Sequence, residues 1–409
     1  MLTSFIQLYK DAYSGLSRNS WYLSIVMLIN RSGTMVVAFM SVYCAKKLHF
    51  DMEHAGYVMA LFGAGSICGS FIGGKLTDKF GFYDLQVSAL ISGGLLFFVV
   101  GYQHTFLSLA ICVFILSLCN ESVRPANSAA VAHYSSDENR TRSVSLNRLA
   151  VNLGWAVGGG MGGFIAAIDY HLLFWVDGGT NILAALLLLI LMPKAKIVKS
   201  MKKRDDTSFR ISAYRDKTYL LFILLGMLFF ICFYEFMIME PAFYKIDWHF
   251  SEQFIGFLLA LNGIIIAFVE MVLIHNLEGK RHGLVYIIGG ILLGAIGFVL
   301  INLVPPTAIM AIVIVILITF SEMLSMPFMN SFWISRSTHH NRGEYAALYS
   351  MAWSSAQIIA PIIGGIMISR GGFSLLWWIL AGLSVASSAG FFLMYKSHYV
   401  DNHISRAMP

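Results

Sequence analysis

A small set of ionisable side chains interrupts stretches of sequence that are otherwise apolar: Arg31, Glu121, Arg124, Glu235, Glu240, Glu270 and Glu322. Near the middle of an apolar helix each costs about 2.5–3.5 kcal/mol on insertion scales, so such residues mark pathways and sites. A carboxylate withdrawn from water can take up and release a proton near neutral pH. A guanidinium can neutralise that acid or grip an anionic ligand in a planar fork. Glu121 and Arg124 are three residues apart, share a helix face and can pair with each other. Glu235 and Glu322 have no basic neighbour on their own helix. They are therefore the expected proton-coupling or substrate carboxylates, Glu235 first, and the alternative for either is a structural pair with Arg31. Glu270 falls near the end of its segment and suits a gate or a snorkelling surface group, while Asp177 and Arg148 suit solvated or capping roles.

The elements that must hold these groups are long apolar segments. Of the 409 residues 57% are hydrophobic and 12% charged, against roughly 25% charged in a soluble domain. Uncharged runs such as 85–102 and 284–304 recur from end to end, each able to cross a hydrocarbon core of roughly 30 Å. Inside lipid such runs must be helices, because the backbone has no other partner. Spans are expected near 20–44, 55–75, 84–103, 106–133, 143–168, 172–192, 219–243, 253–275, 283–303, 306–333, 345–369 and 374–395. The first is no signal peptide, since Asn30 and Arg31 interrupt its centre.

Charge fixes the orientation. Of the 28 Lys and Arg, 21 fall on the side that holds both termini, while Lys46, Lys47, Lys245 and Arg370 fall on the other. The positive-inside rule puts both termini and the central loop in the cytoplasm. The formal charge of +6 thus encodes topology and not nucleic-acid binding. The opening Met1–Ser17 is amphipathic and is expected to lie along the cytoplasmic interface.

The polar stretch 194–218 divides six spans from six, giving an N-terminal six-helix bundle over 1–193, a cytoplasmic linker and a C-terminal bundle over 219–409. An offset of 202 residues lays Pro125 on Pro327, Asn139-Arg140 on Asn341-Arg342, Gly162-Gly163 on Gly364-Gly365, and Lys79 and Gly81 on Arg281 and Gly283. Two copies with an even number of spans share one orientation, the parallel-repeat plan of secondary transporters, whose site lies near the midplane between halves.

Gly74-Lys75-Leu76-Thr77-Asp78-Lys79-Phe80-Gly81 resembles the loop signature G-x-L-a-D-r-x-G-r-k of the major facilitator superfamily, departing from it at Phe82 and Tyr83. The resemblance extends over essentially the whole chain. It implies the major facilitator fold, an all-α membrane protein of twelve transmembrane helices in two pseudo-symmetric six-helix bundles. It also implies a gating role for Gly74, Asp78, Lys79 and Gly81. Arg124-Pro125-Ala126-Asn127-Ser128 is similar to the family's fourth-span motif, in which the arginine helps move protons. Gly154, Gly158, Gly159, Gly162 and Gly163 resemble the antiporter motif G-x-x-x-G-P-x-x-G-G, with Gly159 in place of proline. Pro361, Gly364 and Gly365 form its repeat-equivalent. Small residues of this kind let helix backbones approach closely.

The nearest group by resemblance is the twelve-span drug:proton antiporters. In the family spans 1, 4, 7 and 10 line the cavity, and these carry most of the buried charges. Phe39, Tyr43, Phe229, Phe233, Tyr234, Met237, Met326, Phe328, Met329 and Trp333 on the same spans could form a greasy pocket or simply pack. The expectation is a proton-coupled exporter of small amphipathic or cationic compounds in the inner membrane. It would act as a monomer on a small-molecule substrate and protons, with no cofactor and no metal. The alternative is a proton-linked importer of an anionic metabolite or peptide, anchored by Arg31 or Arg124. An enzyme is not expected: H-E-x-x-H and a P-loop are missing, and Gly65-Ser66 and Gly69-Ser70 do not complete a G-x-S-x-G.

Overall fold

Apolar runs with no water to serve their backbones close their hydrogen bonds locally, and this chain does so along almost its whole length. The computed structural model describes residues 15–135, 140–194, 212–277, 279–337 and 342–407, and every regular element among them is a helix. The first half contains α1 (Arg18–Ser32), α2 (Met35–Lys46), α3 (Met52–Phe80), α4 (Phe82–Gly101), α5 (Phe106–Glu121), α6 (Val123–Tyr134), α7 (Arg140–Ile168) and α8 (Tyr170–Leu191). A short 3-10 turn, Ala213–Arg215, precedes α9 (Lys217–Ile246), α10 (Glu252–Leu277), α11 (Gly283–Leu303), α12 (Ala308–Arg336) and α13 (Arg342–Ala407).

Eleven segments among the described residues are long and apolar enough to cross a membrane. The last of them, Glu344–Ser397, has 54 residues. It bends at Gly372, whose φ of 71° favours glycine, so it supplies two crossings and brings the total to the expected twelve. Phe71, Leu95, Phe164, Ile168, Ile190 and Leu393 are exposed, as lipid-facing side chains of such helices should be.

Two expected spans are each broken in two. The first divides into α1 and α2 at Gly33-Thr34, where Gly33 has ψ 56° and Thr34 ψ 24°. The fourth divides into α5 and α6 at Ser122; Pro125, four residues after Glu121, has no N–H to give the Glu121 carbonyl. A further difference lies after the second span, where a loop was expected from Gly74. There α3 stays helical through Phe80, and only Gly81, at φ 89°, makes the turn. Nothing in Lys75–Phe80 stops a helix, so it runs on beyond its apolar stretch. The amphipathic opening before Gly15 and most of the central linker lie outside the described residues.

Cα packing divides the chain into two compact units. One takes Met1–His49, Leu61–Met201 and Phe250–Ala267, and the other Phe50–Ala60, Lys202–His249 and Phe268–Pro409. In the first unit α1 packs on α7 and α8, and α4 on α8, around a core that includes Leu23, Met27, Leu90, Ala130 and Leu188. In the second, α9 packs along α13, and α11 against α12 and α13, around Tyr219, Phe222, Phe230, Ile291 and Phe391.

The repeat also shows in the turns that end α2 and α9. Leu48-His49-Phe50-Asp51 and Trp248-His249-Phe250-Ser251 adopt one conformation, with His49 at φ 57° and His249 at φ 54°. Lys47 and Leu48 donate their N–H groups to the Tyr43 carbonyl, and Asp247 and Trp248 donate theirs to Phe243. The Asp51 carboxylate then accepts from His54 N–H, and the Ser251 hydroxyl accepts from Phe254 N–H. Here the two copies are 200 residues apart, not 202. The register therefore slips by two residues between these turns and the loops that follow α3 and α10.

Candidate functional site

The first unit gathers one acid and two bases. Glu121 ends α5 at the break of the fourth span, and its side chain is only 8% exposed. Its Oε1 lies 3.6 Å from Arg31 Nη1, and its Oε2 lies 3.0 Å from Arg124 Nη2. Arg31 is 12% exposed and Arg124 59%. Glu121 thus bridges both arginines, and the same-helix pair expected from sequence is one arm of a triad carrying a formal charge of +1. Gly154 and Gly158 of α7 let the backbone of α1 come close here. A Cβ on Gly154 would lie 2.6 Å from Arg31 Cβ, and one on Gly158 would lie 2.9 Å from the Ser32 carbonyl. Asn127, a departure from the family motif, donates to Asn147 Oδ1 at 2.9 Å and ties α6 to α7.

Asp177 has a role that sequence reading only half anticipated. It does cap a helix, but not its own: it sits within α8, fully buried, and accepts the N–H groups of Met35 (3.2 Å) and Val36 (2.8 Å). Those are the first amides of α2, whose own N-cap, Thr34, makes no side-chain cap bond. Asn30 donates to Asn181 Oδ1 at 2.8 Å, and Asn181 donates to the Asp177 carbonyl at 2.9 Å. The break in the first span is therefore satisfied from α8, as buried backbone groups must be. A polar residue at each of positions 30, 177 and 181 was the available signal, but their meeting depends on the tertiary fold.

The second unit holds acids of a different standing. Glu235, in the middle of α9, is 1% exposed, and among the described residues neither of its oxygens has a hydrogen-bond partner. Its carboxyl lies against the bare Cα of Gly364. Glu240, on the same helix, is also buried, with Oε1 unpartnered. Glu322 is half-buried on α12. Phe233 and Tyr234, next to Glu235 in sequence, belong to an aromatic cluster that includes Trp353 and Tyr349, neither of which sequence reading selected. Trp353 lies 4.9 Å from Tyr234, 5.0 Å from Phe230 and 5.6 Å from Phe233 between ring centroids. Residues 349 and 353, four apart on one face of α13, were the signal. Of the candidate pocket residues, Phe39, Tyr43, Phe229, Phe328 and Met329 are buried in their unit's core. Phe233, Tyr234, Met237, Met326 and Trp333 are half-buried.

The glycine motifs are used on two faces. Within the first unit, Gly162 packs on Met35 and Phe39, while Gly159 and Gly163 face α10, where a Cβ on Gly163 would lie 2.7 Å from Gly256 Cα. Within the second, Pro361 and Gly365 meet the start of α3 at Gly56, Met52 and Glu53. Gly74 faces open space and Lys79 is exposed, so neither is shaped by packing. The Asp78 side chain lies outside the described residues.

At the start of α9, Asp216 accepts from Arg336, from Tyr345 Oη at 2.7 Å and from Tyr219 N–H at 3.1 Å. Partial burial works against its charge, but these donors outweigh it and pull the carboxyl down to about 2.

The family model of the Major Facilitator Superfamily matches residues 23–360. The Na(+), Li(+), K(+)/H(+) antiporter of Planococcus maritimus is 24% identical over 91% of this chain and 94% of its own length. Multidrug resistance protein 1 of Bacillus subtilis (strain 168) is 24% identical over 78% of this chain and 82% of its own. Among solved structures, the nucleoside transporter NupG superposes with a TM-score of 0.77 at 16% identity, covering 93% of this chain and all of that one.

Proposed function

Because the chain belongs to the major facilitator superfamily and is a multi-pass membrane transporter, we propose that it exports small amphipathic or cationic compounds in exchange for protons. The observation that carries this is the contrast between its buried charges. Glu121 is shared by Arg31 and Arg124, whereas Glu235 has neither a hydrogen bond nor an ion pair among the described residues. A buried carboxylate without a counter-charge is stable only when protonated or when a cation stands in for the proton. That exclusive choice is what an antiporter needs. The half-buried rings of Phe233, Tyr234 and Trp353 offer the π-faces that attract an organic cation. Two relatives named for cation/proton antiport and multidrug resistance support the same reading. Within this proposal the protein is a monomer of the inner membrane with both termini cytoplasmic, and Glu322 and Glu240 are secondary acids. The end of α3 from Gly74 and the turn at Gly81 serve as a gate.

The test is proton release from vesicles carrying an imposed pH gradient, on adding tetraphenylphosphonium, ethidium, NaCl or KCl. Wild type should dissipate the gradient with at least one of them and Glu235→Gln with none. Equal responses from both would remove Glu235 from the coupling role.

One observation favours a second reading, uptake of an anion. Arg124 is 59% exposed despite its bond to Glu121, so its guanidinium could still receive a carboxylate. Loss of anion uptake in Arg124→Ala, with Glu235→Gln normal, would establish that alternative.

A further inference from the structure

The glycine pair of the last repeat lies where only half of it is needed for helix packing. Gly365 and Pro361 touch the start of α3, but Gly364 faces α9, and what it faces is the Glu235 carboxyl. A methyl built at Gly364 would overlap Oε1 and the carboxyl carbon and stand 2.6 Å from Oε2. The repeat gives an internal comparison. By the 202-residue register Gly364 corresponds to Gly162, and by the 200-residue register of the turns Glu235 corresponds to Met35. The structure pairs these equivalents too: a Cβ on Gly162 would lie 3.1 Å from Met35 Cβ and 3.4 Å from its Cγ. The same helix contact is thus present twice, made by the base of Met35 together with Phe39 in one copy and by a carboxyl in the other.

We infer that Gly364 is the positioning residue for Glu235, its missing side chain forming the niche that admits the carboxyl between α9 and α13. Three features support this. Glu235 is 1% exposed yet neither oxygen is bonded, so no hydrogen bond holds it there and shape alone does. The overlap falls on the carboxyl itself, the far end of a flexible side chain, so an added methyl displaces the acid and not the helices. Gly365 serves the approach to α3, whereas the three atoms nearest a Gly364 Cβ all belong to the Glu235 carboxyl. The inference rests on the proposal that Glu235 is the coupling carboxylate.

The experiment measures the pH profile of gradient-driven tetraphenylphosphonium, ethidium or Na+ exchange in proteoliposomes for wild type, Gly364→Ala, Gly162→Ala, Glu235→Asp and the pair Glu235→Asp/Gly364→Ala. Gly364→Ala should lower coupled exchange at least tenfold and move the profile's midpoint. The double variant should recover a measurable part of it, since aspartate is one methylene shorter and withdraws from the added methyl. Gly162→Ala, which crowds Met35 and Phe39, should leave the midpoint in place. If Gly364→Ala does not fold, Glu235→Ala/Gly364→Ala should restore monodisperse protein, and its failure to do so would overturn the inference. An unmoved midpoint in folded Gly364→Ala, with Glu235→Gln inactive, would likewise overturn it. Normal exchange by Glu235→Gln would instead refute the function proposed for Glu235.

Discussion

Replacing Asp177 should damage the protein in a way that replacing Glu235 does not, because the two buried acids are held differently. The Asp177 carboxylate accepts the N–H groups of Met35 and Val36, which open α2 after the break at Gly33-Thr34. Asp177→Ala would strand both donors at a position with no exposure. A buried group deprived of its partner costs about 1–3 kcal/mol, so the two together cost roughly 2–6 kcal/mol. An ordinary exposed N-cap, worth roughly 0.5–2 kcal/mol, sets the lower bound. At about 2–4 °C per kcal/mol for a unit of this size, the thermal transition should fall by roughly 5–20 °C. Asp177→Asn keeps one acceptor oxygen and should lose about half as much. Glu235→Gln replaces an acid that no hydrogen bond holds and should leave the transition unchanged or raised while abolishing exchange. The assay is thermal aggregation in detergent, followed by fluorescence-detected size exclusion. A transition within 1–2 °C of wild type for Asp177→Ala, a shift smaller than about 1 kcal/mol allows, would refute the capping argument. It would mean that the break in the first span closes some other way.

The triad around Glu121 should respond unequally. Glu121→Ala leaves Arg31, 12% exposed, without its carboxylate, and should cost about 3–5 kcal/mol. Arg124→Ala removes an arm that is 59% exposed and should cost about 0–1 kcal/mol; thermal transitions of the two variants check the order. Gly163→Val would push a side chain into Gly256, 2.7 Å from the first added carbon. It should cost about 1–3 kcal/mol by overpacking, visible as a lower transition and slower exchange. At the start of α9, the Asp216 carboxyl is held at about 2 in the folded protein, below the roughly 3.9 of an unfolded chain. Its contribution is therefore complete above about pH 4 and fades as pH falls toward 2. Melting curves between pH 2.5 and 6 should show that loss in wild type and lack it in Asp216→Asn.

The long apolar runs and the loop charges made the helices and their number legible, because a bilayer leaves the backbone so few alternatives. What stayed hidden were local exceptions decided by tertiary partners. Nothing in Gly33-Thr34 alone demands a break, since the donors it exposes are met by an aspartate more than 140 residues away. Likewise Lys75–Phe80 carries a loop signature but lacks any residue that would stop α3 before Gly81. The spacing of Glu121 and Arg124 indicated a pair, yet the third member, Arg31, arrives from another helix. Glu235 was selectable as an acid without a neighbour. That its carboxyl rests on Gly364 is a fact of helix contact, which composition does not record.

The repeat separates scaffold from chemistry. Positions that shape helices recur in both copies: Pro125 with Pro327, Gly162-Gly163 with Gly364-Gly365, and the left-handed His49 with His249. The charged positions of the spans named next do not. In the turn register Arg31 corresponds to Ile231, Met35 to Glu235 and Met40 to Glu240; in the later register Glu121 corresponds to Met323 and Arg124 to Met326. Each of these five charges thus corresponds to an apolar side chain in the other half. Had the charges served only to hold helices together, the same helices would be expected to need them twice. The half bearing Arg31, Glu121 and Arg124 instead satisfies its acid internally, while the half bearing Glu235 leaves its acid open. Only the second arrangement gives a proton and a cation something to compete for. Exchanging occupants between the copies, Met35→Glu with Glu235→Met, should therefore leave the helices packed and abolish the coupling.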